Sequence, residues 1–254
     1  MIFNNGSLAT PGAPGSELLI GGEAPMENLT LRSNQTYGGA VGIGYSAKVR
    51  NRGIEALRNC FAGSARFVGL EQITFKKNTI IAPGTIFSYC PPAAGGDAER
   101  IWDQNEYLRT KVEYGAINLE SEGKSRAISY SDWQKQTGHD GSSTYREEPA
   151  SGTRVAVRAN TYERGRGHIV VYNWSREPEV WVNLEGVLAR GQRYWIVSAQ
   201  NLRGAPVFRG TWTGDPIRLP IRAQPAATPV GLPNHPLPVM EPLFGVYLVR
   251  PEAG

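Results

Sequence analysis

The chain has 254 residues, enough for one large or two small domains with a substantial core. Its 30 glycines and 18 prolines make up about a fifth of the residues, against roughly 12% in an average chain, which favours many short strands over long helices. The composition is globular, and no apolar run reaches the 18 residues of a membrane span. The formal charge of +4 comes mainly from scattered arginines. Nucleic-acid-binding proteins more often carry a clustered basic stripe, so this class is disfavoured.

The first residues, 1–7, show neither a basic region nor a sustained apolar stretch. No signal peptide is therefore predicted in this chain. Further along, the two cysteines Cys60 and Cys90 allow one disulfide at most and no zinc site, and their spacing leaves open whether they bond.

An imperfect repeat occupies the first half of the chain. Four segments carry aliphatic or aromatic residues that lead into an asparagine: 29–34, 54–59, 73–78 and 101–105. The asparagines are 25, 19 and 27 residues apart, which is too short for a βαβ unit with its crossover helix. Each repeat is therefore interpreted as one coil of a solenoid built from short strands and turns.

The repeated asparagines have a physical role in such coils. We expect the side-chain amides of Asn34, Asn59, Asn78 and Asn105 to bond one another from coil to coil, and the asparagines to adopt the left-handed turn conformation. Alternating apolar residues beside them, Leu29 with Leu31 and Ile73 with Phe75, would point into the lumen. The alternative interpretation is that these are ordinary turn asparagines in an antiparallel sandwich.

Four stretches carry a resemblance to a known family: 3–7, 41–47, 73–81 and 102–107. Residues 3 to about 145 look like the last coils of right-handed parallel β-helix repeat proteins of the pectin-lyase-like superfamily. The resemblance implies an all-β fold, with a short right-handed parallel β-helix over 1–145, a polysaccharide or oligosaccharide as partner, and an extracellular or periplasmic full-length parent. Relatives carry further coils on the N-terminal side, so the chain resembles a C-terminal fragment.

A short helix is predicted between the two halves, near 131–138. Ser131 or Asp132 can cap its start, and Gly138 can end it. Such a helix would cover the open end of the solenoid. At the other end, an open first coil would expose Ile2 and Phe3, so we expect either a homo-oligomer or a self-capping N-terminal segment.

From about residue 150 the pattern changes to short alternating strands separated by turns. Seven are predicted, at 154–158, 168–174, 179–184, 192–199, 206–211, 217–221 and 243–249. This spacing predicts a small antiparallel β-sandwich over 150–254, with a proline-rich loop at 223–242. Its four tryptophans fill the core or, if two share an exposed face, form a platform for a sugar chain.

One acidic and aromatic stretch stands out as a candidate site. Asp97, Glu99, Asp103 and Glu106 are the candidate catalytic carboxylates. The rings of Tyr89, Trp102 and Tyr107, together with Arg100, are the candidate substrate-binding groups. Glycan hydrolysis needs two carboxylates about 5 to 10 Å apart, one protonated and one ionised, and sugar rings stack on aromatic faces.

The sequence therefore predicts a carbohydrate-active protein, with glycoside hydrolysis as the leading activity. A polysaccharide lyase is less favoured, because no base is distinguished, although Arg100 or Lys111 can neutralise a uronate. The alternative is a non-catalytic carbohydrate-binding or structural module. No metal-ligand spacing and no serine-hydrolase elbow is present, so no metal or cofactor is expected.

Overall fold

The computed structural model describes residues 2–3, 16–92, 99–112, 115–121, 123–227 and 240–252. The chain divides into two compact units, residues 1–150 and 151–254. The fold is all-β, with about half of the residues in strands and 4% in helix. Within the described ranges, no helix is long and apolar enough to cross a membrane.

The first unit contains three sheets that the chain visits in turn. The first sheet consists of β1 (Ile2–Phe3), β4 (Gln35–Tyr37), β7 (Cys60–Ala62), β10 (Thr79–Pro83), β13 (Glu106–Lys111) and β16 (Thr144–Glu147). The second consists of β2 (Ser16–Ile20), β5 (Ala40–Ile43), β8 (Ala65–Val68), β11 (Phe87–Cys90), β14 (Ile117–Ser121) and β15 (Lys124–Ile128). The third consists of β3 (Thr30–Arg32), β6 (Ile54–Leu57), β9 (Gln72–Lys76) and β12 (Glu99–Asp103).

Every pairing within these sheets is parallel except the last pairing of the second sheet, where β14 and β15 form an antiparallel hairpin. Each strand up to β11, together with β13, pairs with the strand three places later. This order is compatible with a helix-like parallel stack, because three strands bring the chain back to its starting sheet.

Apolar residues from the three sheets form the core of this unit. Leu31, Ile73 and Phe75 are buried there, and Leu29 packs against them, as the alternating pattern predicts. Towards the last coil the core becomes aromatic, because Phe67, Phe75, Phe87 and Trp102 meet with ring centroids 4.6 to 5.7 Å apart.

The residue that makes the sharp turn beside each repeated asparagine is not the predicted one. The asparagines themselves are not left-handed; the residue before each of them is. Ser33, Arg58, Lys77 and Gln104 have φ values of 59°, 55°, 57° and 59°. The preceding residue makes the turn, which leaves each asparagine side chain free to point inward.

A helix, α1 (Tyr130–Thr137), follows the last strand of the second sheet. It begins earlier than predicted, because Ser129 is the cap and accepts a hydrogen bond from the Asp132 N–H at 3.0 Å. Gly138 ends it in the left-handed conformation, with φ 69°. The Trp133 side chain is fully buried and packs in the aromatic core, so the helix is anchored on the first unit.

The second unit contains all seven predicted strands in two antiparallel sheets. The larger sheet has the order β17 (Thr153–Ala159), β18 (Gly167–Asn173), β23 (Phe244–Pro251), β20 (Arg193–Ser198) and β21 (Phe208–Thr211), and the smaller pairs β19 (Glu179–Val182) with β22 (Ile217–Pro220). Apolar residues of both sheets share one core. Most of the predicted proline-rich loop, residues 228–239, lies outside the described residues.

The two cysteines are both buried. Cys60 lies on the first sheet and Cys90 on the second. The question that the spacing leaves open is therefore answered: no disulfide joins them.

Candidate functional site

The four predicted asparagines form one continuous hydrogen-bonded ladder. The Nδ2 of Asn34 donates to Asn59 Oδ1 at 3.0 Å, Asn59 donates to Asn78 at 2.9 Å, and Asn78 donates to Asn105 at 3.2 Å. Each oxygen also accepts the backbone N–H of the preceding asparagine in the series. The predicted ladder is confirmed, and it satisfies polar groups that the coil corners bury.

The ladder ends on a carboxylate that the sequence analysis did not single out. Asn105 Nδ2 donates to Asp140 Oδ1 at 3.1 Å. The buried Asp140 carboxylate also accepts from the Tyr107 Oη, the Trp133 Nε1 and the Ser143 Oγ. Burial raises the pKa of Asp140 in spite of these donors. Asp140 lies 35 residues after Asn105, a longer spacing than any in the repeat, so the repeat gave no signal for it.

Two of the candidate catalytic carboxylates, Asp103 and Glu106, lie on either side of Asn105. Asp103 ends β12 and Glu106 begins β13, and both side chains are partly exposed. Burial raises the pKa of Asp103, but the backbone N–H groups of Ser142 and Gln104 outweigh it and leave that pKa below its usual range. Glu106 accepts from the Thr79 hydroxyl at 3.2 Å and from Arg146 at 2.8 Å. Glu99 is exposed on β12, and Asp97 lies outside the described residues.

The three rings predicted to bind substrate lie in the core of the first unit. Tyr107, Trp102 and Tyr89 are 0%, 2% and 7% exposed. The Trp102 Nε1 donates to the Tyr107 Oη at 2.8 Å. Trp102 and Tyr107 are packed within this core, whereas Tyr89 also lines a cleft. Arg100 remains half-buried and donates from Nε to the Leu70 carbonyl at 2.9 Å.

An open cleft of about 690 Å³, which we call the end cleft, lies in the first unit, beside α1. Its wall consists of residues 126–128 of β15 and the first residues of α1, and Arg109, Tyr145 and Glu147 of the first sheet line it as well. Tyr145 stacks on the buried Tyr130 with ring centroids 4.7 Å apart and an interplanar angle of 8°. The half-buried Tyr145 ring is therefore held in a fixed orientation beside the cleft.

Three polar side chains are coupled in this cleft. The Arg109 guanidinium is 3% exposed, donates from Nε to the Gly84 carbonyl at 2.8 Å, and pairs with Glu147 at 3.1 Å. The Tyr145 hydroxyl donates to the same carboxylate. Arg109 and Glu147 are directly opposite one another on neighbouring strands β13 and β16. They are 38 residues apart in the chain, so no local pattern could have brought them together.

The protonation states in the cleft follow from these contacts. Burial, followed by the hydrogen bond to Glu147, raises the pKa of Tyr145 to about 12. The same hydrogen bond, together with Arg109, lowers the pKa of Glu147. The hydrogen bond from Ser129 lowers the pKa of Asp132, the other carboxylate that lines the cleft. At neutral pH the cleft therefore presents two carboxylate acceptors, a protonated phenol and two arginines, Arg109 and Arg126.

Glycosidic cleavage needs one carboxyl group kept protonated by a raised pKa, and both carboxylates of the cleft have lowered values. In the part of the chain that the structure describes, no group of three or more His, Cys, Asp or Glu side chains could hold a metal ion.

The tryptophans of the second unit do not form a shared platform. Trp181 is 61% exposed on β19 with Arg218 over its ring at 4.7 Å, whereas Trp195 lies on β20 of the other sheet, with Arg250 at 5.4 Å. Trp174 stacks on Tyr172, and Trp212 is buried in the core. The two arginine-covered rings lie on separate sheets, so they cannot extend one continuous flat face.

No protein-family model matches the chain, and no curated protein and no solved structure matches it either.

Proposed function

We propose that this protein is a carbohydrate-binding module whose saccharide site is the end cleft of the first unit. We also propose that the first unit is a right-handed parallel β-helix of the pectin-lyase-like type. The right hand is the general rule for parallel strand connections. The strand order, in which the chain returns to the same sheet after three strands, supports the helical winding.

The observation that carries the binding proposal is the position of Tyr145. Its ring is fixed by stacking on Tyr130, and it lies beside charged groups of both signs in an open cleft. Saccharides offer an apolar ring face together with hydroxyl groups that both donate and accept. An aromatic ring flanked by Arg109, Glu147 and Asp132 matches both properties.

The pairing within the cleft also favours a rigid binding site. Arg109 is held by the Gly84 carbonyl and Glu147, and Glu147 is held by Tyr145. Side chains fixed before the ligand arrives lose little conformational entropy on binding. A preformed site of this kind binds without rearrangement of the sheets.

Hydrolysis at Asp103 and Glu106 is the second candidate function. It is favoured by the placement of two partly exposed carboxylates on either side of the same ladder corner. The lowered pKa of Asp103 suits a base or nucleophile. Glu106 would then have to serve as the acid, although Arg146 pairs with it at 2.8 Å.

The two functions are separated by measuring binding and turnover on the same samples. Isothermal titration of the protein with uncharged hexasaccharides of several linkages should detect binding, and Tyr145→Ala should weaken it about tenfold or more. Tyr162→Ala serves as the control, because Tyr162 is 98% exposed in the second unit. Equal affinities for the Tyr145 and Tyr162 variants would contradict the cleft as the binding site.

Turnover is followed by the release of reducing ends from the same saccharides. The binding module predicts none. Release that disappears in both Asp103→Asn and Glu106→Gln would instead support the hydrolase.

A further inference from the structure

The second unit has a cleft of its own, with a volume of about 760 Å³. It is bordered by two loops, residues 164–166 between β17 and β18 and residues 186–192 before β20, and by the end of β17. Three arginines, Arg164, Arg166 and Arg190, line it, and none of the described residues that line it is acidic. We call this surface the arginine cleft.

The positive charge of this cleft is only partly compensated within the described chain. Arg164 and Arg190 form no ion pair with any described carboxylate, whereas Arg166 pairs with Glu163 at 2.8 Å. The Nε of Arg166 is buried and has no hydrogen-bond acceptor. A buried donor without an acceptor costs free energy, more so when it belongs to a charged group.

A further hydrogen-bond donor, the side-chain amide of Gln192, lines the same cleft. Gln192 uses its Oε1 to accept the Ala189 N–H at 3.0 Å, and its Nε2 lies beside Gly165. Gly165 has a φ of 77°, and a Cβ there would lie 2.5 Å from that nitrogen. The absence of a side chain at this position keeps the amide donor accessible at the base of the loop.

We propose that the arginine cleft binds an oxyanion group, a sulfate or a carboxylate, carried by an acidic saccharide. Guanidinium groups present planar pairs of N–H donors that match the two oxygens of such groups. An oxyanion would relieve the repulsion among the three arginines and supply an acceptor for the Arg166 Nε. That a saccharide carries the oxyanion rests on the proposed function, whereas the oxyanion site itself does not.

The test compares two double variants that remove the same charge. Arg164→Ala/Arg190→Ala removes the two unpaired arginines of the cleft, both exposed, and Arg203→Ala/Arg209→Ala removes two exposed arginines outside it. The full chain is titrated calorimetrically, in 150 mM salt, with a sulfated, a uronate-containing and an uncharged hexasaccharide, and with a six-nucleotide DNA strand. Thermal unfolding of each variant establishes that it is folded.

The proposal predicts that the affinity for the sulfated or the uronate hexasaccharide falls about tenfold or more in the cleft variant and stays within about twofold in the control. The two acidic probes then identify the preferred oxyanion. Equal losses in the two variants would show a general charge effect and overturn the proposal, as would unchanged affinity in both. Tighter binding of the DNA strand than of either acidic saccharide would overturn the saccharide as occupant.

The uncharged hexasaccharide distinguishes this inference from the proposed function. Its binding depends on Tyr145 and should not change in the cleft variant. If it fails to bind at all while the arginine variant still loses the acidic probe, the proposed binding module fails and the arginine cleft stands.

Discussion

The side-chain amide of Asn105 donates to the carboxylate of Asp140 at 3.1 Å, so that the asparagine ladder ends on a buried anion. An amide ladder has a direction, because each Nδ2 needs an oxygen in the next coil. At the last coil a further asparagine would need another acceptor beyond it. A carboxylate has only acceptors, and Asp140 therefore terminates the series while also receiving the donors of Tyr107 and Trp133.

Asp140→Asn should destabilise the first unit by about 2–4 kcal/mol, because its NH2 group would face donors in a buried site. Urea unfolding followed by the fluorescence of the aromatic core measures the change. Glu99→Gln is the matched control, since the same replacement on an exposed strand residue should change stability by less than about 0.5 kcal/mol. An Asp140→Asn protein as stable as the control would contradict the role of the carboxylate.

Asn78→Ala should lower the free energy of unfolding much more than the same replacement at Asn34, the first residue of the ladder. Removing the Asn78 side chain takes away the acceptor of the Asn59 N–H and one donor to the Ala56 carbonyl in a buried site, at a cost of roughly 2–4 kcal/mol. Asn34→Ala removes one donor at a partly buried end and should cost about 1 kcal/mol. Comparable losses for the two variants in the same unfolding experiment would count against a cooperative ladder.

Lys77→Gly should leave the protein equally stable or stabilise it by up to about 1 kcal/mol, because a left-handed lysine with φ 57° costs more than glycine there. Lys76→Gly, one residue earlier on β9, should instead destabilise by about 0.5–1 kcal/mol. Thermal unfolding of the two variants checks the opposite signs. A loss at position 77 as large as that at position 76 would show that the turn does not depend on the left-handed residue.

Saccharide binding at the end cleft should be independent of pH between 5 and 10. The titratable groups that line it are Glu147 and Asp132, whose pKa values lie below the usual carboxyl range, and Tyr145, whose pKa is about 12, together with Tyr130, whose pKa is also raised. The carboxylates are therefore already ionised, and the phenols still protonated, across this interval. Affinity should fall only as the pH drops through the depressed carboxyl values. Calorimetry at pH 5, 7 and 9 checks this, and a midpoint near 6.5 would implicate a histidine instead.

Local sequence patterns predicted the secondary-structure elements better than they predicted the residues that line the end cleft. The Asn59 and Asn78 corners were predictable, because a repeated polar residue at a buried turn must bond its copy in the next coil. The seven strands of the second unit were predictable because glycine- and proline-containing turns separate alternating residues. The burial of the candidate rings Trp102 and Tyr107 was not predictable, because residues from distant parts of the chain pack around them.

The sequence by itself determined that the chain is all-β, that its first half repeats through stacked asparagines, and that Gly138 ends a short helix. These features depend on residues close in the chain or on a regular period, which local sterics and hydrogen bonding decide. Only the tertiary structure decided that Arg109, Tyr145 and Glu147 meet in one cleft and that Asp140 ends the ladder. Those contacts depend on the register between coils, and that register is set by the unequal lengths of the turns rather than by any single residue.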